Sequence, residues 1–361
     1  MRLHNFFILH ETDKVLKFIP NFVNHYANYM KIKDIKNALL NQCGFIDRKR
    51  EQNRIPRVLF YHGVADIRNP FVEKLHIPPA DFRKQLAYLR KHYEIVSIDE
   101  YDRRWQTGSF TGREITLTFD DGYRNNLTQL APILKEYDLP FTVFISTRHI
   151  DSGKRFSTFV GRAVLSWPSL DRLQIECLGL ESPLTSAGQR KKIFKQINRH
   201  LKHADIQTVN LITEQLIQNL PAGEYRKLCD YYQADALMSW EDVATLQKEY
   251  RCTVGSHCLD HFICGTFQQE AEIIRQIEES KSVIEQKLGS PCHYLAYPNG
   301  DTCPIALEAA RKAGYRMAFT TANKRLSSRM DPMELPRYGV NFNYPTFKAD
   351  LALKPDNNED R

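Results

Sequence analysis

Several function classes leave no mark on this chain. No zinc-finger spacing, no glycine-rich phosphate loop and no aromatic-basic RNA motif occurs, so nucleic acid is not expected as a partner. The eight cysteines, at 43, 177, 229, 252, 258, 264, 292 and 303, include no Cys-x-x-Cys pair. No stretch approaches the roughly 20 apolar residues that a membrane helix needs. The N-terminal apolar run is only Phe6-Phe7-Ile8-Leu9, too short for the core of a signal peptide. The expectation is a cytoplasmic chain without a transmembrane span. The formal charge of +7 suits an anionic glycan, lipid headgroups or nucleic acid, and equally a solvated surface, so it decides nothing alone. At 361 residues, 42% hydrophobic and 26% charged, the chain can bury a sizeable core in one large domain or in one domain with additions.

What is present centres on Thr118 to Tyr123, Thr-Phe-Asp-Asp-Gly-Tyr. Ile115, Leu117 and Phe119 alternate with Thr116 and Thr118, the period of a strand with one buried face. The strand ends in two adjacent carboxylates, Asp120 and Asp121, which repel each other and lose solvation unless a cation or a shared proton sits there. Alone, Asp-Asp-Gly reads as a turn. A second cluster, Gly255-Ser-His257-Cys-Leu-Asp-His261, follows the apolar stretch Cys252 to Val254. Two imidazoles four residues apart can meet one ion across a helical turn or a tight loop, and a carboxylate from elsewhere completes the three-ligand set of a catalytic zinc site.

In order, Thr-Phe-Asp-Asp-Gly-Tyr, Gly-Ser-His-Cys-Leu-Asp-His, Tyr294-Leu-Ala-Tyr297-Pro298-Asn-Gly300 and Leu335-Pro-Arg337 resemble the motifs of polysaccharide deacetylases, the NodB homology domain of carbohydrate esterase family 4. The match spans most of residues 55 to 347. The resemblance implies that Asp120 is the general base, that Asp121, His257 and His261 bind a divalent metal, zinc by default, and that the amide of Tyr123 helps hold the oxyanion. It adds Tyr297, Pro298, Trp240 and Arg337 as candidate substrate-binding or orienting residues. Two departures stand out. One branch of the family has a C-terminal histidine as the acid, but the last histidine here is His293. That branch also has an arginine in the third motif that holds the base, where this chain has Ala296; Arg337 is the candidate replacement. The Ala-Tyr-Pro form resembles a branch that deacetylates exopolysaccharide N-acetylglucosamine.

Along the chain, Val58 to Tyr61 reads as a buried strand ending at His62, which would stand at the same barrel end as Asp120 and is the candidate acid. Phe82, Leu86 and Leu89 mark a helix, Glu94 to Ile98 a strand, Leu127 to Leu134 a helix and Phe141 to Ile145 a strand. This alternation argues for an α/β fold with a mainly parallel sheet, which the resemblance sharpens to a distorted, incomplete (β/α) barrel. The expected organisation is a helical extension over 1–54, a barrel over 55–150 and 238–347, a helical insertion over 151–237 and a tail over 348–361. In the extension, Val15, Phe18, Ile19, Phe22 and Val23 recur at helical spacing. Packed helices are the expectation there, with a basic amphipathic contact to a membrane surface as the alternative. In the insertion, the basic residues around Ile193, Ile197 and Leu201 read as a solvated face in preference to a ligand surface.

The expected activity is metal-assisted removal of N-acetyl groups from a hexosamine in a polysaccharide or a surface-glycan precursor. The alternatives are an amide or ureide hydrolase with a non-sugar substrate and a glycan-binding protein that has lost catalysis. An acetylated glycan is the expected partner. Neither the sugar nor the oligomeric state follows from the sequence.

Overall fold

The computed structural model describes residues 32–353. The helical spacing of Val15 to Val23 lies outside them, as does the end of the expected tail. The chain divides into two compact units, Arg54–Val340 and the described parts of Met1–Asn53 with Asn341–Lys354.

The smaller unit holds the helices Ile32–Gln42, Phe45–Gln52 and Tyr344–Leu353. Ile46, Ala349 and Ala352 form its apolar centre. Asn37 donates to the Thr346 hydroxyl at 3.2 Å, and that hydroxyl donates to Asp34 at 2.6 Å. Residues 348–353, expected as the start of a frayed tail, instead continue a helix, because Phe347, Ala349, Leu351 and Ala352 bury against these partners.

The larger unit contains the strands β1 (Arg57–Tyr61), β2 (Gly63–Val64), β3 (His76–Ile77), β4 (Glu94–Ile95), β5 (Glu114–Phe119), β6 (Phe141–Ile145), β7 (Arg172–Ile175), β8 (Leu180–Pro183), β9 (Cys252–Ser256), β10 (Tyr294–Ala296), β11 (Met317–Phe319) and β12 (Tyr338–Gly339). Eight of these form one sheet in the order β11-β10-β9-β6-β5-β1-β12, with β4 beside β5. Every pairing in it is parallel. Its C-terminal edge therefore gathers the residues after each strand on one side: His62 after β1, Asp120 after β5, His257 after β9 and Tyr297 after β10.

The sheet curls until its edges meet through one short segment. Leu335 bridges Phe319, donating to Ala318 O and accepting from Thr320 N, both at 2.9 Å. Four residues on, β12 pairs with β1. The result is a distorted (β/α) barrel in which residues 335–339 close the ring with few regular hydrogen bonds.

Two local readings change. All six residues of β5 are buried, not one face only, because a parallel sheet is covered on its outer face by crossover helices and on its inner face by the barrel core. Ile98 opens the helix Ile98–Thr107 where the end of a strand was expected, since the Ser97 hydroxyl accepts from Glu100 N at 3.1 Å and caps it.

Residues 151–237 supply most of one apolar cluster, with Phe159, Val160, Ile193, Ile197, Ile212 and Leu216, which Val72 from outside the segment joins. Helices dominate, but β7 and β8 form an antiparallel hairpin that the helical reading omits. Its alternation, with Leu173 and Ile175 inside and Arg172 and Gln174 outside, runs for only four residues, too short to register as a period.

The centre of the sheet leaves no room at Gly255 in β9. A Cβ there would lie 2.5 Å from the Phe144 ring and 2.9 Å from Tyr294 O. Gly255→Ala is expected to destabilise the fold by about 1–3 kcal/mol through overpacking, read as a lower midpoint in urea unfolding. An unchanged midpoint would show that the ring can move aside.

Candidate active site

The tip of β5 carries two carboxylates in different environments. Asp120 N donates to Tyr61 O at 3.0 Å, continuing the pairing of β5 with β1 and fixing the residue at the barrel mouth. Its carboxylate forms a bidentate pair with Arg337, Nη1 to Oδ1 at 2.7 Å and Nη2 to Oδ2 at 2.8 Å. Arg337 is fully buried, also donates to Thr118 Oγ1 at 3.2 Å, and lies against the faces of Phe60 and Phe144. Burial would raise the Asp120 carboxyl, but the charges beside it, Arg337 foremost, outweigh it and hold it below the usual carboxylate range.

The next residue turns away. Asp121 has φ 77° and Gly122 φ 77°, so the chain takes two consecutive left-handed steps. Glycine adopts this freely; Asp121 does so at a cost that short polar residues can bear. Asp121 Oδ1 then sits 3.5 Å from His257 Nε2 and 3.4 Å from His261 Nε2. It is buried and has no hydrogen-bond partner.

His257 follows β9, its amide donating to Ile145 O at 2.8 Å. Its Nδ1 lies 2.6 Å from the Ala296 carbonyl, which can only accept. Nδ1 therefore carries the proton, and Nε2 presents a lone pair toward Asp121. Burial lowers its pKa to about 4, against the pull of Asp120, so the ring is neutral. The pair of histidines is spaced by a tight loop, not a helix, with left-handed backbone at Cys258 (φ 60°) and His261 (φ 53°).

Asp121, His257 and His261 offer ligand atoms that all lie within 4.8 Å of one another. Donors about 2.0–2.1 Å from a shared tetrahedral ion stand about 3.3 Å apart, close to the spacings from Asp121 to each ring. An orphaned buried carboxylate oxygen, a tautomer fixed by a backbone carbonyl and two imidazole nitrogens suit a divalent cation. Asp120 is outside this set, both its oxygens being engaged by Arg337.

These groups line a cavity of about 750 Å³ with His62. His62 is half-buried there; burial lowers its pKa, while Asp121 and Asp120 pull the other way. The amide of Tyr123 is not used by the neighbouring segment. Arg124 N donates to Ala236 O and Met238 N to Gly122 O, which makes Tyr123 and Leu237 a non-hydrogen-bonded antiparallel pair whose own amides face outward.

The cavity wall includes none of the five expected contacts. Tyr123 is buried and does not line it. Tyr297 is fully buried and its hydroxyl donates to Met333 O at 3.1 Å. Pro298 is buried too, and Asn299, left-handed at φ 60°, is the residue of that motif that reaches the cavity. Trp240 donates to Asp151 at 2.6 Å, and that carboxylate, not the indole, lines the wall. Arg337 lies behind Asp120 and is fully occupied there. The sequence reading also misses Phe156, whose ring packs edge-on to His261, and the cationic side chains of the insertion.

A family model described as polysaccharide deacetylase matches residues 107–174 and 184–318, more than half of the chain. The poly-beta-1,6-N-acetyl-D-glucosamine N-deacetylase of Staphylococcus epidermidis is 26% identical over 103 residues, 28% of this chain and 34% of that protein. The Staphylococcus aureus protein of the same name is 28% identical over 94 residues, 26% of this chain and 31% of its own. The chain thus spans about a third of the length of the curated relatives it matches. Among solved structures, the deacetylase PplD of Streptococcus pyogenes in complex with acetate aligns with a TM-score of 0.53 at 16% identity, over 81% of this chain and 95% of that one. IcaB from Ammonifex degensii aligns with a TM-score of 0.53 at 19% identity, over 83% and 97%. Those two share the fold, and with the family model running from before β5 through β10 the chain belongs to the polysaccharide deacetylase family.

Proposed function

We propose that this chain is a metal-dependent hydrolase that removes N-acetyl groups from a hexosamine in a polysaccharide or a surface-glycan precursor. One observation carries the reading: a buried Asp121 oxygen without a hydrogen-bond partner faces two imidazole nitrogens, while its neighbour Asp120 is held out of that set by Arg337. A binding module without chemistry has no use for that second carboxylate. The names of the Staphylococcus relatives favour N-acetylglucosamine as the sugar.

Asp121, His257 and His261 would hold the cation, with zinc the default for two imidazoles and a carboxylate. Such an ion supplies Lewis-acid polarisation of the acetyl carbonyl and makes water a stronger acid. Asp120 takes the proton from the attacking water. Its low basicity, imposed by Arg337, means that it does not keep that proton. The outward-facing Tyr123 amide supplies a donor for the oxyanion. His62 enters neutral, because burial lowers its pKa, and serves the leaving amine after collecting the proton from Asp120.

Chelation should abolish acetate release from N-acetylglucosamine oligomers, and added zinc should restore it. A His257→Ala, His261→Ala double variant should lose both activity and bound metal. Full metal content in that variant would put the ion elsewhere.

His62→Ala should lower kcat on amides by roughly 100- to 10,000-fold with metal content unchanged, and less on acetate esters, whose alkoxide leaves with less help. Near-normal amide turnover would remove His62 from the mechanism.

Arg337→Met leaves a buried carboxylate without its partner, and should cost about 3–5 kcal/mol of stability at neutral pH. In the native protein the Asp120 carboxyl is depressed, so the pair's contribution is complete above the ordinary carboxylate range and is lost as pH falls through the depressed value. In the variant burial acts with less opposition and raises the carboxyl, so protonation relieves the penalty in mild acid. The stability gap to the native protein, measured by urea unfolding, should narrow from about pH 7 to about pH 4. A gap constant over that range would show that the lost term is packing, not charge.

A further inference from the structure

Beyond the groups near Asp121, the same cavity is walled by the insertion, and that wall is cationic. Lys74 Nζ and Arg162 Cζ both lie 5.8 Å from the centre of the Phe194 ring, so two positive charges gather around one aromatic ring. Phe194 belongs to the helix Ala187–His203, and one to two turns further along that helix Asn198, Leu201 and Lys202 reach the cavity.

None of the three cations is well satisfied. Arg162 is 1% exposed; its Nε donates to Val72 O at 2.7 Å, but its Nη2 has no hydrogen-bond partner and stands 3.9 Å from Asp235. Asp235 is shared, with its other oxygen 3.3 Å from His76 Nε2. Lys202 is half-buried and donates to the neutral Asn299 side chain. Lys74, at the rim, has no carboxylate partner among the described residues, and burial followed by the charges of Arg162 and Lys202 lowers its pKa. The nearby acids are already engaged, Asp260 by Arg148 at 2.7 Å and Asp151 by Trp240 at 2.6 Å. Crowding like charges beside a partly enclosed space is unfavourable unless an anion visits it.

We propose that the substrate is an acetylated hexosamine glycan bearing a negatively charged substituent, a phosphate or a carboxylate, seated between Lys74, Arg162 and Lys202. This rests on the deacetylase reading and narrows its substrate class. The product argues the same way. Deacetylation leaves an amine that is protonated near neutral pH, so a cationic wall disfavours a chain already rich in free amines and favours one whose anionic groups offset them.

The test compares acetate release by the zinc-loaded full chain from three substrates of equal length: a neutral N-acetylglucosamine oligomer, the same oligomer with a 6-phosphate, and one alternating with glucuronate. The kcat/KM for at least one anionic substrate should exceed that for the neutral one by about tenfold, and this ratio should shrink as salt rises. Preference for the phosphate or the glucuronate form names the source of the charge. Lys202→Gln and Lys74→Gln should each lower the ratio by about three- to tenfold, and Lys202→Arg should keep it. Equal ratios in all variants, or no preference in the native chain, overturn the inference. Calorimetric titration with N-acetylglucosamine 6-phosphate, a glucuronate-containing disaccharide and N-acetylglucosamine separates the two readings. Charge-selective binding lost in the Lys74→Gln, Lys202→Gln double variant, without acetate release from any substrate, would keep the anion subsite and sink the deacetylase reading. Equal binding of charged and neutral sugars would overturn the subsite even if hydrolysis proceeds.

Discussion

The buried pair of Arg337 and Asp120 joins barrel closure to chemistry. Arg337 sits in the segment that bridges β11 at one edge of the sheet and pairs with β1 at the other. Its guanidinium reaches across to the tip of β5, so the same side chain ties the closing segment to the strand that presents Asp120, the proposed base. Removing two charges from water costs several kcal/mol per ion, and this pair offsets that with bidentate geometry, a third donor contact to Thr118 and two aromatic faces. The orientation of Asp120 is thereby set by the ring as a whole. The proposed catalytic constellation inherits the rigidity of the closure.

A second constraint follows from putting two acids side by side. Successive residues of a strand point to opposite faces, so an extended Asp120-Asp121 would separate its carboxylates across the sheet. The left-handed steps at Asp121 and Gly122 break that alternation and bring Asp121 to the histidines. Gly122 also lies close to Ile145 and Ile150, where a Cβ would come within 3.0 and 3.1 Å of their side chains and press on both. The histidine loop repeats the device with Cys258 and His261. Backbone strain of order 1–3 kcal/mol at such positions persists only where surrounding contacts fix it, and here the Ala296 carbonyl, Gln276 and the β6–β9 pairing do so.

These constraints explain what could be read in the sequence and what could not. The barrel was legible because its strands are short apolar runs separated by amphipathic helices, and the positions of Asp120, Asp121, His257 and His261 because strand tips carry polar residues that the core would reject. The absence of a third-motif arginine pointed to Arg337 as a substitute, but spacing could not say that the guanidinium lies behind Asp120 and away from the cavity. Likewise, the φ of 60° that brings Asn299 to the wall is a property of the turn, invisible in composition. The full burial of β5, against the half-burial its alternation suggested, came from the crossovers; of its two threonine hydroxyls, that of Thr118 donates to Leu59 O, while that of Thr116 is buried without a partner. Residues 348–353 carry only Lys348 and Asp350 as charged side chains, and Ala349, Leu351 and Ala352 among them are buried.

The basic helix of the insertion shows where charge counting fails. Arg190, Lys191, Lys192, Lys195, Arg199 and Lys202 surround one apolar stripe, and a helical wheel assigns them all to solvent. They divide in the fold: Arg190 turns inward to the carbonyls of Leu165, Trp167 and Leu170, and Lys202 reaches the cavity. The first serves the insertion's own core, satisfying carbonyls that a buried turn would leave without partners. The second lies at the end of the helix, where side chains can lean over the barrel mouth without disturbing a strand. Strand ends are fixed by the register of the sheet, and the proposed catalytic groups sit there. A helix resting on its own core can change its exposed charges with little cost to the barrel, and that is where recognition of a particular glycan can vary while Asp120, Asp121, His257 and His261 stay in place.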